Sequence, residues 1–126
     1  VGALSACGGS NVNADKGHVY FLSMKVEQQD QFKELAEKFT KKTGIQVDIA
    51  TASSDTYEQS LKSELAKSEA PTLFDVGNND FLNWTNYYAD MSGTNIYKDQ
   101  ENPDYALKDG DTVGAVPYVI TIWHLQ

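Results

Sequence analysis

Arginine is absent from this 126-residue chain: all ten basic residues are lysine, set against eighteen acids, for a formal net charge of −8. Nucleic-acid binding draws on a basic face and on arginine forks, so that class is disfavoured. A single cysteine, Cys7, rules out an internal disulfide framework and a cysteine-based zinc site. Only two histidines occur, His18 and His124, with no paired spacing that would make a metal centre. No run approaches the roughly 18 apolar residues needed to cross a bilayer. Glycine-rich phosphate loops and the G-x-S-x-G nucleophile elbow are also missing, so no catalytic residue, cofactor or metal ligand is expected.

What the chain does contain is ordinary for a globular domain: 40% hydrophobic residues and 11% aromatics. His18–Met24 is a continuous β-branched and aromatic run that reads as a buried strand. Phe32, Leu35, Ala36 and Phe39 recur at helical spacing, Lys41 and Lys42 suit a last turn, and Gly44 suits a left-handed stop. A helix is therefore expected from about Glu27 to Thr43. Ile45–Ile49 alternates and reads as a second strand. Asp55 with Glu58 resembles a capping box opening a second helix, with Tyr57, Leu61 and Leu65 as its apolar stripe. Thr72–Val76 reads as a third strand, Phe81–Tyr88 as a short aromatic helix, and Asp99–Gly110 as loop. The turn signal Lys108–Asp111 leads into a last strand over Val113–Ile120.

The order β-α-β-α-β predicts an α/β fold with a mostly parallel sheet flanked by helices. Ligands of such sheets meet the loops at the carboxyl ends of the strands. Those loops are Met24–Gln28, Ala50–Asp55 and Gly77–Asp80. Asn78, Asn79 and Asp80 offer two amides and a carboxylate, groups that pair with the hydroxyls of a polyhydroxylated ligand. The same residues are also common in turns and at helix starts, and chemistry alone leaves both readings open. Phe81 and Trp84 fit a core stripe better than a stacking platform, whereas Tyr118 and Trp123, after Pro117, are better placed to reach a ligand.

The amino-terminal stretch bears on location. Leu4-Ser5-Ala6-Cys7 is a small, apolar approach to a cysteine, and Gly8-Gly9-Ser10-Asn11 opens a polar linker. With Phe39-Thr-Lys-Lys-Thr-Gly-Ile-Gln-Val47, Ala70-Pro-Thr-Leu-Phe-Asp-Val-Gly77 and Gly114-Ala-Val-Pro-Tyr-Val-Ile120, the chain resembles the N-terminal part of a family 1 extracellular solute-binding protein, the carbohydrate-binding lipoprotein of an ABC importer. The resemblance implies a periplasmic-binding-protein-like type II fold whose N-terminal lobe is present and whose second lobe is missing. It implies a sugar or oligosaccharide ligand captured by closure of two lobes, permease subunits as partners, and no enzymatic activity. It also implies lipidation at Cys7, tethering the protein to the extracellular face of a Gram-positive cell membrane through the lipid alone. Met24, Glu27, Asn78, Asn79, Asp80, Tyr118 and Trp123 are the ligand-contact candidates.

The expected division is residues 1–7 as the remnant of a lipoprotein signal peptide, 8–16 as linker, 17–120 as the N-terminal lobe and 121–126 as a truncated or atypical tail. Apolar surface left open by a missing lobe would favour poor solubility or oligomerisation. The alternatives are a non-sugar solute such as a peptide or polyamine on the same fold, a small flavodoxin-like enzyme or regulator, and a structural lipoprotein that binds nothing.

Overall fold

The computed structural model describes residues 17–118. Cys7, the linker, Trp123, His124 and the tail lie outside the described residues. The chain divides into two compact units, one ending at Asp75 and the other starting at Val76.

The first unit is a three-stranded parallel sheet with helices on both faces. Strand β1, His18–Ser23, is central and pairs in parallel with β2, Gln46–Thr51, and with β3, Leu73–Phe74. The expected parallel α/β arrangement is therefore present. Parallel neighbours require crossover connections, and the two helices supply them. Helix α1, Gln29–Thr43, packs against β2, and its Phe32 meets Phe21 of β1 edge-on at 5.5 Å. Helix α2, Ser54–Leu65, lies on the other face, because Tyr20, two residues from Leu22, reaches Glu64 through its hydroxyl at 3.2 Å. Leu22, Tyr57 and Leu61 are buried there, with Leu61 fully enclosed.

Local signals explain most ends of these elements. Gly44 takes φ +77°, and its amide reaches Thr40 O at 2.7 Å, which makes it the left-handed stop of α1. Lys41 and Lys42 occupy the last turn as expected. Several expectations are corrected. A 3₁₀ turn at Val26–Gln28 precedes α1, so the helix proper starts at Gln29 rather than Glu27. Only Ala36 of its apolar stripe is buried; Leu35 is 64% and Phe39 42% exposed. The Asp55–Glu58 capping box does not form. Ser53, already extended at φ −65° and ψ 153°, is the cap position, and Glu58 pairs instead with Lys62 at 2.7 Å. The third strand is two residues long because the backbone of Asp75 turns to the Tyr57 hydroxyl.

The second unit is built on a hairpin. Strands β4, Leu107–Asp109, and β5, Thr112–Ala115, pair antiparallel across Gly110, which takes φ +58°. Here too the structure departs from the expected outline. The aromatic segment makes a single 3₁₀ turn, Phe81–Trp84, not a helix to Tyr88. The stretch expected as loop holds a 3₁₀ turn at Pro103–Tyr105 and strand β4, and the last strand stops at Ala115. A one-turn helix α3, Asn95–Lys98, forms outside every expected element; Thr94 caps it, accepting from the Tyr97 amide. Phe81 and Trp84 are buried, as their spacing predicts. Phe81 stacks on Tyr88 at 5.0 Å, and both rings lie on Gly114, where an added Cβ would fall 2.6 Å from them.

Candidate functional site

The carboxyl end of β1 carries the best-defined polar arrangement in the first unit. Strand pairing ends at Ser23, so the amides of Met24 and Lys25 need partners outside the ladder. Asp75, just past β3, supplies one: its Oδ2 accepts from the Met24 amide at 2.9 Å and from Ser23 Oγ at 2.7 Å. Ser23 Oγ in turn accepts from the Lys25 amide at 3.1 Å. Ser23 and Asp75 are both buried, at 0% and 6% exposure.

Tyr57 of α2 completes the group. Its oxygen accepts from the Asp75 amide at 2.8 Å, and its proton is shared between Leu22 O and Asp75 O, each at 3.0 Å. The loop that follows closes with the Gln28 amide on Lys25 O at 3.0 Å. Met24 is half-buried on this loop and Glu27 is exposed. From the neighbouring strand end, Thr51 Oγ1 donates to Gln29 Oε1 at 2.7 Å.

In the second unit, Asn78, Asn79 and Asp80 form a turn ahead of Phe81–Trp84. Asn78 and Asn79 are exposed and Asp80 is half-buried. The Asp80 carboxylate lies over Gly77, so close that a Cβ on residue 77 would sit 2.7 Å from Oδ1. Its side chain does not cap the following turn, which closes instead through Asp80 O and the Asn83 amide at 2.9 Å. Tyr118, 50% exposed, lines a groove of about 460 Å³ with Asp99, Gln100, Asn102, Tyr105 and Pro117. Trp123 lies outside the described residues.

A larger groove, about 1020 Å³, opens in the first unit beside His18, Tyr20, Lys33, Glu37, Asp48 and Glu64. It lies toward the amino end of β1 and includes neither Met24 nor Glu27. Four of its charged groups pair with one another at the surface: His18 Nε2 meets Asp48 Oδ2 at 2.7 Å, and Glu64 meets Lys67 at 2.6 Å. The Lys67 hydrogen bond holds the Glu64 carboxyl below its ordinary value, and burial, then Glu64, pushes the Tyr20 phenol up. Volume alone therefore does not mark the site, and the strand-end loops remain the better candidates. Among the described residues, no three His, Cys, Asp or Glu side chains are grouped to hold a metal.

Sequence reasoning named the loops but missed Ser23, Tyr57 and Asp75 as a group. The available signal was Asp75 itself, a carboxylate inside the apolar run Leu73-Phe-Asp-Val76. The spacing of Tyr57, Leu61 and Leu65 assigns Tyr57 only to an apolar stripe.

Comparison with known proteins bears on both fold and family. A family 1 extracellular solute-binding protein from Bifidobacterium longum subsp. infantis superposes with a TM-score of 0.61 at 22% identity, over 76% of this chain and 26% of that one. An ABC substrate-binding protein from Listeria monocytogenes, in complex with cycloalternan, gives a TM-score of 0.53 at 20% identity, over 75% and 25%. The chain thus spans about a quarter of the length of each. No curated protein matches it. The sequence profile of the bacterial extracellular solute-binding proteins matches residues 25–123, and the chain belongs to that family.

Proposed function

We propose that the polypeptide carrying this sequence is the extracellular substrate-binding component of an ABC importer. It captures a sugar or oligosaccharide by closure of two lobes and delivers it to the permease. The observation that carries this reading is the family match over residues 25–123. The strand-end loops add the chemistry. Asn78, Asn79 and Asp80 combine donors and acceptors suited to sugar hydroxyls, and Met24 and Glu27 flank a loop that is itself tied down. Tyr118 and Trp123 supply aromatic faces for the apolar side of a sugar ring. The cycloalternan held by the Listeria protein supports a glucan as the class to test first. Cys7 is the lipid tether in this reading, and the residues after it are the linker.

The test is calorimetry on the full-length protein against cycloalternan, linear α-glucans, a peptide mixture and polyamines. Saturable binding of a sugar is expected. Binding of a peptide or polyamine with no sugar bound would replace the ligand class and keep the fold assignment. For the tether, mass spectrometry of the protein from its native host is expected to show a diacylglyceryl cysteine at position 7; an unmodified Val1 start would sink that assignment.

A further inference from the structure

We propose that Asp75, together with Ser23, is a positioning clamp that holds the loop after β1 in its ligand-binding shape and so sets affinity without touching the solute. The proposal rests on the reading of Met24 and Glu27 as ligand contacts.

The geometry is specific to the loop. Where β1 stops pairing, the next two amides in sequence, Met24 and Lys25, both end on this pair of side chains, one on Asp75 Oδ2 and one on Ser23 Oγ. The Ser23 hydroxyl donates its only proton to Asp75, which leaves its lone pairs for Lys25. The carboxylate accepting from the Met24 amide makes a short, directional, charge-assisted bond, and the Lys25 amide on the Ser23 hydroxyl adds a neutral one, so that two successive loop amides are held in position and orientation.

A carboxylate is costly to bury, and packing alone would be better served at this position by an apolar side chain. What the carboxylate supplies, and an apolar side chain does not, is an acceptor for the loop. Tyr57 fixes that acceptor in turn, gripping the amide and the carbonyl of Asp75 rather than its side chain. A rigid acceptor thus meets loop amides that the strand ladder leaves open, which is the arrangement that reduces the ordering cost of binding.

The test uses the full-length protein, with cycloalternan and linear α-glucans as probes. In Ser23→Ala and Asp75→Asn, Kd for the bound probe is expected to rise about tenfold, the factor that loss of one charge-assisted hydrogen bond gives. Hydrogen-exchange protection of the Met24 and Lys25 amides is expected to fall with it, while protection in β2 holds. Asp75→Ala is expected to weaken binding further than Asp75→Asn, which keeps an acceptor oxygen. A purely structural role would lower the unfolding midpoint and leave both Kd and the two loop amides unchanged in the folded variants, and that result overturns the proposal. If the wild-type protein binds neither probe, the glucan reading fails by itself. The exchange measurement then decides the clamp: lost protection at Met24 and Lys25 supports it and retained protection refutes it.

Discussion

Replacing Tyr57 by phenylalanine deletes one oxygen and leaves the buried ring in place, so it isolates the hydrogen bonds from the packing. That oxygen serves three backbone groups: the Asp75 amide at 2.8 Å and the carbonyls of Leu22 and Asp75 at 3.0 Å. After the change the Asp75 amide keeps a longer contact to Leu22 O, at 3.3 Å, which offsets part of the loss. A buried group that loses its partner costs about 1–3 kcal/mol, so the net destabilisation is expected at about 2–3 kcal/mol. The assay is urea unfolding followed by circular dichroism, with wild type and variant compared at equal slope. With a slope of about 2 kcal/mol/M, the midpoint is expected to fall by about 1 M. Tyr87→Phe is the control, because that ring is 55% exposed. Such a surface change is expected to stay within about 0.5 kcal/mol. A Tyr57→Phe variant as stable as this control would refute the claim that the hydroxyl organises the ends of β1 and β3.

Two further outcomes concern the second unit. Gly114→Ala would place a methyl 2.6 Å from the Phe81 and Tyr88 rings, and forcing that stack apart is expected to cost about 1–3 kcal/mol in the same unfolding assay. Asp90 is held below the ordinary aspartate value by the Ser92 amide and hydroxyl and by the Val113 amide. Its folded pKa is depressed, so its contribution is present above the unfolded value, about 3.9, and is lost as pH falls through the folded one. Acid titration is expected to loosen the Val113 amide in hydrogen exchange below that value, and Asp90→Asn to flatten the response; an unchanged profile in the variant would refute the assignment.

Much of the scaffold was legible because its signals are local. A continuous apolar run placed β1, alternation placed β2 and period-3.6 patterns placed α1 and α2, while Gly44 fixed the end of α1 through a backbone angle that other residues adopt only with strain. The misreadings came where two local signals competed. Asp55 and Glu58 have the spacing of a capping box, but Ser53 could take the extended cap conformation two residues earlier. Leu35 and Phe39 have core spacing, yet the line of contact with the sheet runs through Phe32 and Ala36. Spacing reports that residues share a face, not that the face is covered.

By itself, the sequence determined the parallel α/β class, the order of the elements in the first unit and the loops where a ligand is expected, since each follows from the pattern of apolar residues and from the crossover that parallel strands require. Only the tertiary structure decided how the loop after β1 is held. Ser23 and Asp75 lie 52 residues apart and Tyr57 comes from a helix between them. No local pattern links a serine, a tyrosine and an aspartate at those separations. Their meeting depends on β1 and β3 pairing in parallel, which brings both strand ends to one edge and buries the carboxylate beside the amides it accepts from.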